Sequence, residues 1–224
     1  MKNFKKNKKF LQENHAYYPS LEHEACGVGL VASTNGQKSR EVVDYGIEAL
    51  KAVWHRGAVD ADGKSGDGAG IKLEISPDFF NEKIMATGHA HDSDKRICVG
   101  MIFMPRNDYS SQEKCRSIIE TVLLNENYYI YGWRQVPVNP KILGQKALQT
   151  MPEIIQVLFK SNDQNLLDKN LERKIYETRK KIEKKAFQLS LNNFYICSIS
   201  SKSIIYKGLY LAQAISDFYL DLKD

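Results

Sequence analysis

The chain has 224 residues, 42% of them hydrophobic, which is enough for one domain with a substantial core. Its formal charge is +5, and it falls to about +3 (27 basic minus 24 acidic residues) without residues 1–25, which hold five Lys and three Glu. The net charge is small, and acidic and basic residues are mixed along the chain, which excludes an extended nucleic-acid-binding surface. The basic segment at the start is interpreted as a solvated tail.

Cysteine usage and hydropathy restrict the cellular context. The four cysteines lie far apart and form no C-x-x-C pair, so a zinc site or a disulfide framework is not expected. The sequence shows no apolar run of membrane-spanning length, and its first 25 residues lack the apolar centre of a secretory signal. These features predict a cytoplasmic protein that does not bind membranes.

The first elements follow in chain order. Residues 1–20 are polar and rich in Lys and Asn, and little regular structure is expected there. The apolar run 26–33 ends at Asn35-Gly36, which predicts a buried strand closed by a turn. A helix is then predicted from Ser39 to about Trp54, because its apolar residues fall on one face.

The rest of the chain alternates between strand and helix patterns, separated by turn signals. Strands are predicted at 71–75, 97–104, 128–135, 153–159, 194–200 and 203–207. Helices are predicted after the capping sequence Ser76-Pro77-Asp78 and at 111–125, 165–187 and 209–220. The last two strands are expected to form a hairpin across Ser201-Lys202. This mixed order predicts an α+β domain built in layers, without an internal repeat.

Cys26 is the first candidate for chemistry. Cleavage between Ala25 and Cys26 would leave a thiol and a free α-amine on one residue. Such an amine titrates near ~7.7–8.0, close to the pH at which a general base is most effective. It can accept the thiol proton and later donate one to a leaving amine. Taken alone, a cysteine at the start of a strand is more often an ordinary buried residue, so the surrounding sequence decides.

Two long motifs supply that context. E-H-E-A-C-G-V-G occupies residues 22–29, and H-R-G-A-V-D-A-D-G-K-S-G-D-G-A-G-I occupies residues 55–71. Both resemble the class II glutamine amidotransferase domain that opens the large chain in the glutamate synthase family, and weaker similarity extends to about residue 220. The resemblance implies a four-layer αββα N-terminal-nucleophile hydrolase fold, incomplete at the C-terminus. It also implies a pro-segment at residues 1–25 and the N-terminal part of the amidotransferase domain at residues 26–224.

The same resemblance assigns site residues. It makes Cys26 the nucleophile and places Arg56 close to it, where a guanidinium would favour the thiolate. Gly57 would let the chain pack against the nucleophile. Many members of the family carry Gly at the position of Asp60. Asp60 either lies on the loop without affecting it or alters how the loop closes.

Several other patterns do not fit the sites that they resemble. Gly63-Lys64-Ser65 lacks the first glycine of a phosphate-binding loop, and the glycines at 27 and 29 lie within the predicted strand instead of before a helix. The acids of the glycine-rich loop do not follow the calcium-loop spacing, and the polar loop after Gly88 is interpreted as solvated. These residues are Asp60, Asp62, Asp67, His89, His91 and Asp92. No cofactor-binding residue, metal ligand or nucleic-acid contact is therefore predicted in this chain.

The function implied by the resemblance is the release of ammonia from glutamine. In the full-length family this serves a synthase that makes glutamate from glutamine and 2-oxoglutarate, with FMN, an iron–sulfur cluster and NADPH or ferredoxin. The implied partners are glutamine, the remainder of the synthase chain and a small electron-transfer subunit. Segments resembling H-x-R-F-S-T-N and H-N-G-E, which carry the family's substrate arginine and oxyanion donors, are absent from residues 190–224. The chain alone is therefore expected to have negligible glutaminase activity.

Two alternatives stay open from the sequence. One is a class II amidotransferase that makes a different amino product. The other is a non-catalytic, truncated product that keeps part of the fold.

Overall fold

A computed structural model describes residues 2–14, 27–53, 57–92, 94–163 and 168–223. The helices are α1 (Lys2–Asn14), α2 (Arg40–Ala52), α3 (Pro77–Met85), α4 (Tyr109–Asn125), α5 (Gln145–Thr150), α6 (Asp168–Gln188) and α7 (Ile215–Phe218). The strands are β1 (Ala69–Glu74), β2 (Cys98–Met104), β3 (Tyr128–Gln135), β4 (Glu153–Ser161), β5 (Tyr195–Ser200) and β6 (Ser203–Gly208). Short 3-10 turns lie at Pro140–Ile142, Ala212–Ala214 and Leu220–Leu222.

The strands form two antiparallel sheets. One has four strands in the order β3-β4-β2-β5, and the other consists of β1 paired with β6. Every neighbouring pair of strands runs antiparallel, and β1 pairs with β6 from Ala69 opposite Gly208 to Glu74 opposite Ser203. The structure is therefore α+β, as the mixed sequence pattern predicts.

The four-stranded sheet separates two hydrophobic cores. Successive side chains of β2 point to opposite faces, so Val99 and Met101 enter one core while Cys98 and Ile102 enter the other. The first core lies between this sheet and the elements around β1 and β6. The second core is covered by α4 and α6, whose buried residues include Ile119 and Ile175. Burial on both faces explains why all of β2 is buried except Phe103.

Local signals in the sequence mark both ends of α3. Ser76 precedes α3, its side-chain oxygen accepts the backbone N–H of Phe79 at 3.4 Å, and Pro77 occupies the first turn. Ser39 precedes α2 without a side-chain capping bond. Gly88 follows α3 with φ of 83°, a conformation that glycine adopts without strain.

The connection between β5 and β6 differs from the predicted hairpin. The two strands lie in different sheets, and the turn between them is filled by Glu172 from α6. One Glu172 oxygen accepts the hydroxyl of Ser200 at 2.9 Å, and the other accepts the N–H and O–H of Ser201, each at 2.6 Å. The carbonyl of Lys202 accepts the N–H of Ile75 at 2.9 Å. The predicted hairpin is therefore wrong, because this turn leads from one sheet into the next.

The N-terminal predictions also need correction. Residues 2–14 form a helix where little regular structure was expected, because the segment contains no Gly or Pro and consists largely of good helix formers. Residues 27–33 form no strand, since no described strand lies beside them to pair with them. Val28 and Leu30 are each 92% exposed, so the predicted burial of this run is wrong as well. Cys26, the first residue of the predicted strand, lies outside the described residues.

Two differences concern helices in the second half. The predicted helix at 209–220 is reduced to α7 and short 3-10 turns, which allow Tyr210, Phe218 and Tyr219 all to enter the first core. A continuous helix would have turned one of these large side chains to solvent. Helix α5 was not predicted from the sequence. No helix among the described residues is both long and apolar enough to cross a lipid bilayer.

Candidate active site

The structure describes one of the three predicted site residues. Gly57 is exposed and begins the glycine-rich loop, whereas Cys26 and Arg56 lie outside the described residues. The loop that follows Gly57 is held by backbone hydrogen bonds. This loop, residues 57–68, is called the site hairpin below.

The site hairpin has short, closely bonded arms. Val59 bridges to Gly66, and the N–H of Asp60 donates to the carbonyl of Ser65 at 2.9 Å. Closer to the base, the N–H of Asp67 donates to the carbonyl of Ala58 at 3.3 Å. These bonds run up to the residue after Gly57, so the conformation of the hairpin sets where that glycine lies.

Asp62 organises the tip of the site hairpin. One carboxylate oxygen accepts the N–H groups of Lys64 at 2.9 Å and Ser65 at 2.7 Å, and the other accepts the Ser65 hydroxyl at 2.7 Å. Gly63 takes φ of 68° in the turn between them. The hydrogen bonds from Ser65, with that from Lys64, lower the pKa of Asp62 to about 2. The carboxylate is therefore ionised and hydrogen-bonded throughout the neutral range.

The tip rests on the beginning of α5. Ser65 is only 4% exposed, and its hydroxyl oxygen accepts the N–H of Ala147 at 3.3 Å. Asp60 accepts a hydrogen bond from Lys146 at 2.8 Å, and this bond, with the N–H of Ala61, lowers the pKa of Asp60. Asp60 thus links the hairpin to α5. Of the two alternatives given for Asp60, this contact favours an effect on the closure of the loop. Sequence reasoning missed Ser65 and α5, although the Asp62-x-x-Ser65 spacing is typical of a side chain that caps its own turn.

A groove opens beside the base of the site hairpin. It has a volume of about 620 Å³ and is lined by residues from Asp67 to Lys72 along β1 and by residues of the paired strand β6. Tyr195 and Lys207 border it, and Lys207 Nζ donates to the Tyr195 hydroxyl at 2.8 Å. The groove therefore joins the loop that contains Gly57 to an open, mainly apolar surface.

The described cysteines are poor candidates for a nucleophile. Cys98, Cys115 and Cys197 are free and buried. Burial raises the pKa of Cys115 and Cys197 to about 11 and raises that of Cys98 further. At neutral pH these thiols are protonated and shielded from solvent, which leaves Cys26 as the candidate.

The histidines after Gly88 have structural partners. His91 Nδ1 and the Tyr131 hydroxyl are 2.9 Å apart, and His89 Nδ1 lies 3.0 Å from the Thr87 hydroxyl. Within the described ranges, no three His, Cys, Asp or Glu side chains are grouped so that they could hold a metal ion. These histidines pack against tyrosine rings of β3 instead.

Comparison with known families decides the classification. The sequence profile of the family described as class II glutamine amidotransferases matches residues 26–224. This chain belongs to that family. Its match begins at the residue proposed as the nucleophile.

Three of the relatives found for this chain are named as glutamate synthases. The large chain of the NADPH glutamate synthase of Azospirillum brasilense is 49% identical over 99% of this chain and 14% of the relative. Ferredoxin-dependent glutamate synthase 1 of Arabidopsis thaliana is 39% identical over 91% of this chain and 12% of its own length. Ferredoxin-dependent glutamate synthase 2 of Synechocystis is 36% identical over 91% of this chain and 13% of its own length. The chain thus spans about one seventh of these proteins or less.

Proposed function

We propose that this chain is the glutamine-hydrolysing part of a glutamate synthase. The main support is the 49% identity to the Azospirillum large chain across 99% of the present sequence. The relatives named as ferredoxin-dependent enzymes are less similar, at 39% or below. NADPH as the electron donor of the complete protein is therefore favoured over ferredoxin.

The proposed roles follow the resemblance of the two motifs. Cys26 is the nucleophile and carries the free α-amine once residues 1–25 have been removed as a pro-segment. Arg56 supports the thiolate, and Gly57 leaves room for the chain beside it. The start of the family match at residue 26 supports this division of the chain.

The proposed reaction consumes only glutamine and water. The Cys26 sulfur forms a bond to the side-chain amide carbon of glutamine, and the carbon–nitrogen bond breaks after the α-amine has passed a proton to the leaving nitrogen. Ammonia departs and a γ-glutamyl thioester remains. Water, deprotonated by the α-amine, then breaks the carbon–sulfur bond, so that glutamate is released and the thiol is restored.

The proposal extends to the fold and the partners. Helix α2 packs on β1, the two sheets face each other across the first core, and α4 and α6 cover the outer face of the larger sheet. These contacts support a four-layer αββα N-terminal-nucleophile fold. The remaining synthase chain, with its FMN and iron–sulfur cluster, and a small electron-transfer subunit are the proposed partners. A cytoplasmic location is proposed because the widely spaced cysteines suit a reducing compartment.

Intact-mass analysis followed by labelling tests the role of Cys26. Within a complete synthase, we expect this chain to begin at Cys26 and to be alkylated there by a diazoketone analogue of glutamine. Cys98, Cys115 and Cys197 should stay unlabelled in the folded chain because they are buried. Peptide mapping after labelling distinguishes the four positions.

Two outcomes would contradict the proposal. One is a chain that keeps residues 1–25 even when it is expressed within a glutamine-hydrolysing synthase. The other is glutamine hydrolysis by that synthase that survives replacement of Cys26 with Ala. Measured alone, the chain should release ammonia at the background rate, because the segments that resemble the family's oxyanion donors are absent from its sequence.

A further inference from the structure

Lys207 differs from the other described lysines that lie over tyrosine rings. Its Nζ is 4.5 Å from the centre of the Tyr195 ring. Lys160, Lys174 and Lys180 also lie over tyrosine rings, and each is paired with a carboxylate. Lys207 is half-buried, yet among the described residues its Nζ is bonded to the Tyr195 hydroxyl and to no carboxylate. A cation that is partly withdrawn from water is stabilised by an anion, so this position favours an anionic ligand.

The Tyr195 hydroxyl adds a second donor beside Lys207. Its oxygen accepts the Lys207 bond at 2.8 Å, and its own proton has no acceptor among the described residues. Lys207 keeps two further N–H protons. A carboxylate beside this pair can therefore accept a hydrogen bond from each residue, and the bond from the ammonium is charge-assisted.

A cavity lined by the end of α5 adjoins the pair. Its volume is about 750 Å³, within the range of pockets that enclose small organic molecules. The buried residues of its lining are all hydrophobic: Met104, Leu143, Ala147, Ile154, Tyr210 and Phe218. The cavity therefore offers an apolar floor next to a cationic anchor.

The charges around the cavity also favour an anion. Lys207 and Arg106 are the cations among the residues that line it, and Asp108 is the one acid. Asp108 already accepts the N–H of Ser111 at 3.0 Å and the Ser111 hydroxyl at 2.6 Å. The lining thus carries a net positive charge.

We propose that this cavity binds a small carboxylic acid with an apolar body, whose carboxylate accepts hydrogen bonds from Lys207 and Tyr195. The same two residues border the groove beside β1, but the residues that line that groove include no buried one. The apolar body therefore lies in the larger cavity, where its removal from water contributes most of the affinity. This site is independent of the proposed hydrolysis of glutamine.

Isothermal titration calorimetry with two matched probes, hydrocinnamate and its neutral amide, tests the site. The probes share the apolar body, so the difference between them measures the contribution of the carboxylate. We expect the acid to bind about tenfold more tightly than the amide, because hydrogen bonds to a charged group are the stronger ones. Lys207→Met should remove this preference, and Tyr195→Phe should weaken binding of the acid about threefold.

Lys160 supplies the matched control for Lys207. It is also half-buried and lies over the rings of Tyr129 and Tyr131, but it does not line the cavity. Lys160→Met should therefore leave the affinity for hydrocinnamate unchanged. Equal losses in the two variants would overturn the inference, because they would show a general effect of lost positive charge.

Two tryptophan substitutions locate the apolar body of the probe. Thr150 lines the larger cavity and Lys72 lines the groove, and both residues are exposed. Thr150→Trp should weaken binding of hydrocinnamate by obstructing the cavity, whereas Lys72→Trp should not. The reverse result would place the probe in the groove and overturn the inference.

The two probes also give a test that requires no variant. Equal affinities for the acid and the amide, or binding of neither, would show that the cavity does not select a carboxylate. Circular dichroism establishes whether each variant folds. If Lys207→Met does not fold, the comparison of the two probes on the unaltered chain, together with Tyr195→Phe, decides.

Discussion

The two sheets of this protein are covered to very different degrees. In the four-stranded sheet, β2 and β4 are buried almost throughout, with a core on each face. In the two-stranded sheet, exposed residues of β1 alternate with half-buried ones, and Ile47 is the one buried residue of α2. The most completely buried strands lie in the larger sheet, whereas the predicted site adjoins β1 of the smaller one.

This division suits the proposed chemistry. Glutamine must reach a nucleophile from solvent, and the groove beside β1 is an open surface at the base of the site hairpin. The hairpin next to it is fixed by hydrogen bonds and by α5, since little apolar burial is available there. The contrast between the two sheets leads to three measurements, beginning with the largest expected effect.

Matched isoleucines test the difference directly. Ile102 on β2 is fully buried, whereas Ile71 on β1 is half-buried. Ile102→Ala should lower the free energy of unfolding by about 4 kcal/mol, because it removes apolar contacts and leaves a cavity. Ile71→Ala should lower it by only about 1 kcal/mol. Urea denaturation measures both, and equal losses would show that the two sheets are stabilised alike.

The buried ion pair gives the second measurement. Arg134 on β3 binds both carboxylate oxygens of Asp221, at 2.7 and 2.6 Å, and the Asp221 side chain is only 2% exposed. Asp221→Asn should lower the free energy of unfolding by about 3 kcal/mol, because the Arg134 charge would lose its partner. Replacing both residues together, as in Arg134→Met with Asp221→Leu, should cost less than the single change. A double variant that is less stable than Asp221→Asn would contradict this account.

The third and smallest effect concerns pH. Burial, with the nearby Lys160 charge, lowers the pKa of His91, partly offset by the Lys95 backbone and Asp92. In the unfolded chain the same imidazole titrates near ~6.5, so below that pH the unfolded state binds more protons. Stability contributed by neutral His91 is therefore present above about pH 6.5 and is lost as pH falls through its lowered folded pKa.

His91→Gln isolates this contribution. An unprotonated His91 nitrogen can accept the Tyr131 hydroxyl 2.9 Å away, whereas the protonated nitrogen must donate to it, and the charged ring is then partly buried beside Lys160. The urea midpoint of the unaltered chain should therefore fall more steeply between pH 7 and pH 5 than that of the variant. Parallel curves in that range would show that His91 does not contribute.

Much of the four-stranded sheet was predictable from sequence. The predicted strand at 128–135 matches β3, and the predicted helix at 111–125 lies within α4. Both segments show the hydrophobic periodicity of their element over their whole length, because one face of each is buried against a core. The cap at Ser76 was also predicted correctly, because its hydrogen bond lies within one helical turn.

The wrong predictions concern segments whose conformation is determined by residues distant in the sequence. The turn after Ser200 resembles a hairpin locally, but Glu172 occupies it and β6 pairs with β1. The apolar run at residues 27–33 has the pattern of a strand but no described partner strand. For the candidate site, the motifs supplied Gly57 and its hairpin. They did not supply the contact with α5, which is separated from Ser65 by about eighty residues.

The turn filled by Glu172 couples the two sheets across the molecule. The carboxylate from α6 binds Ser200 and Ser201 while that helix lies on the larger sheet. The same turn leads into β6, which is the sole described neighbour of β1. The outline of the groove beside β1 therefore depends on a helix that packs on the opposite face of the larger sheet.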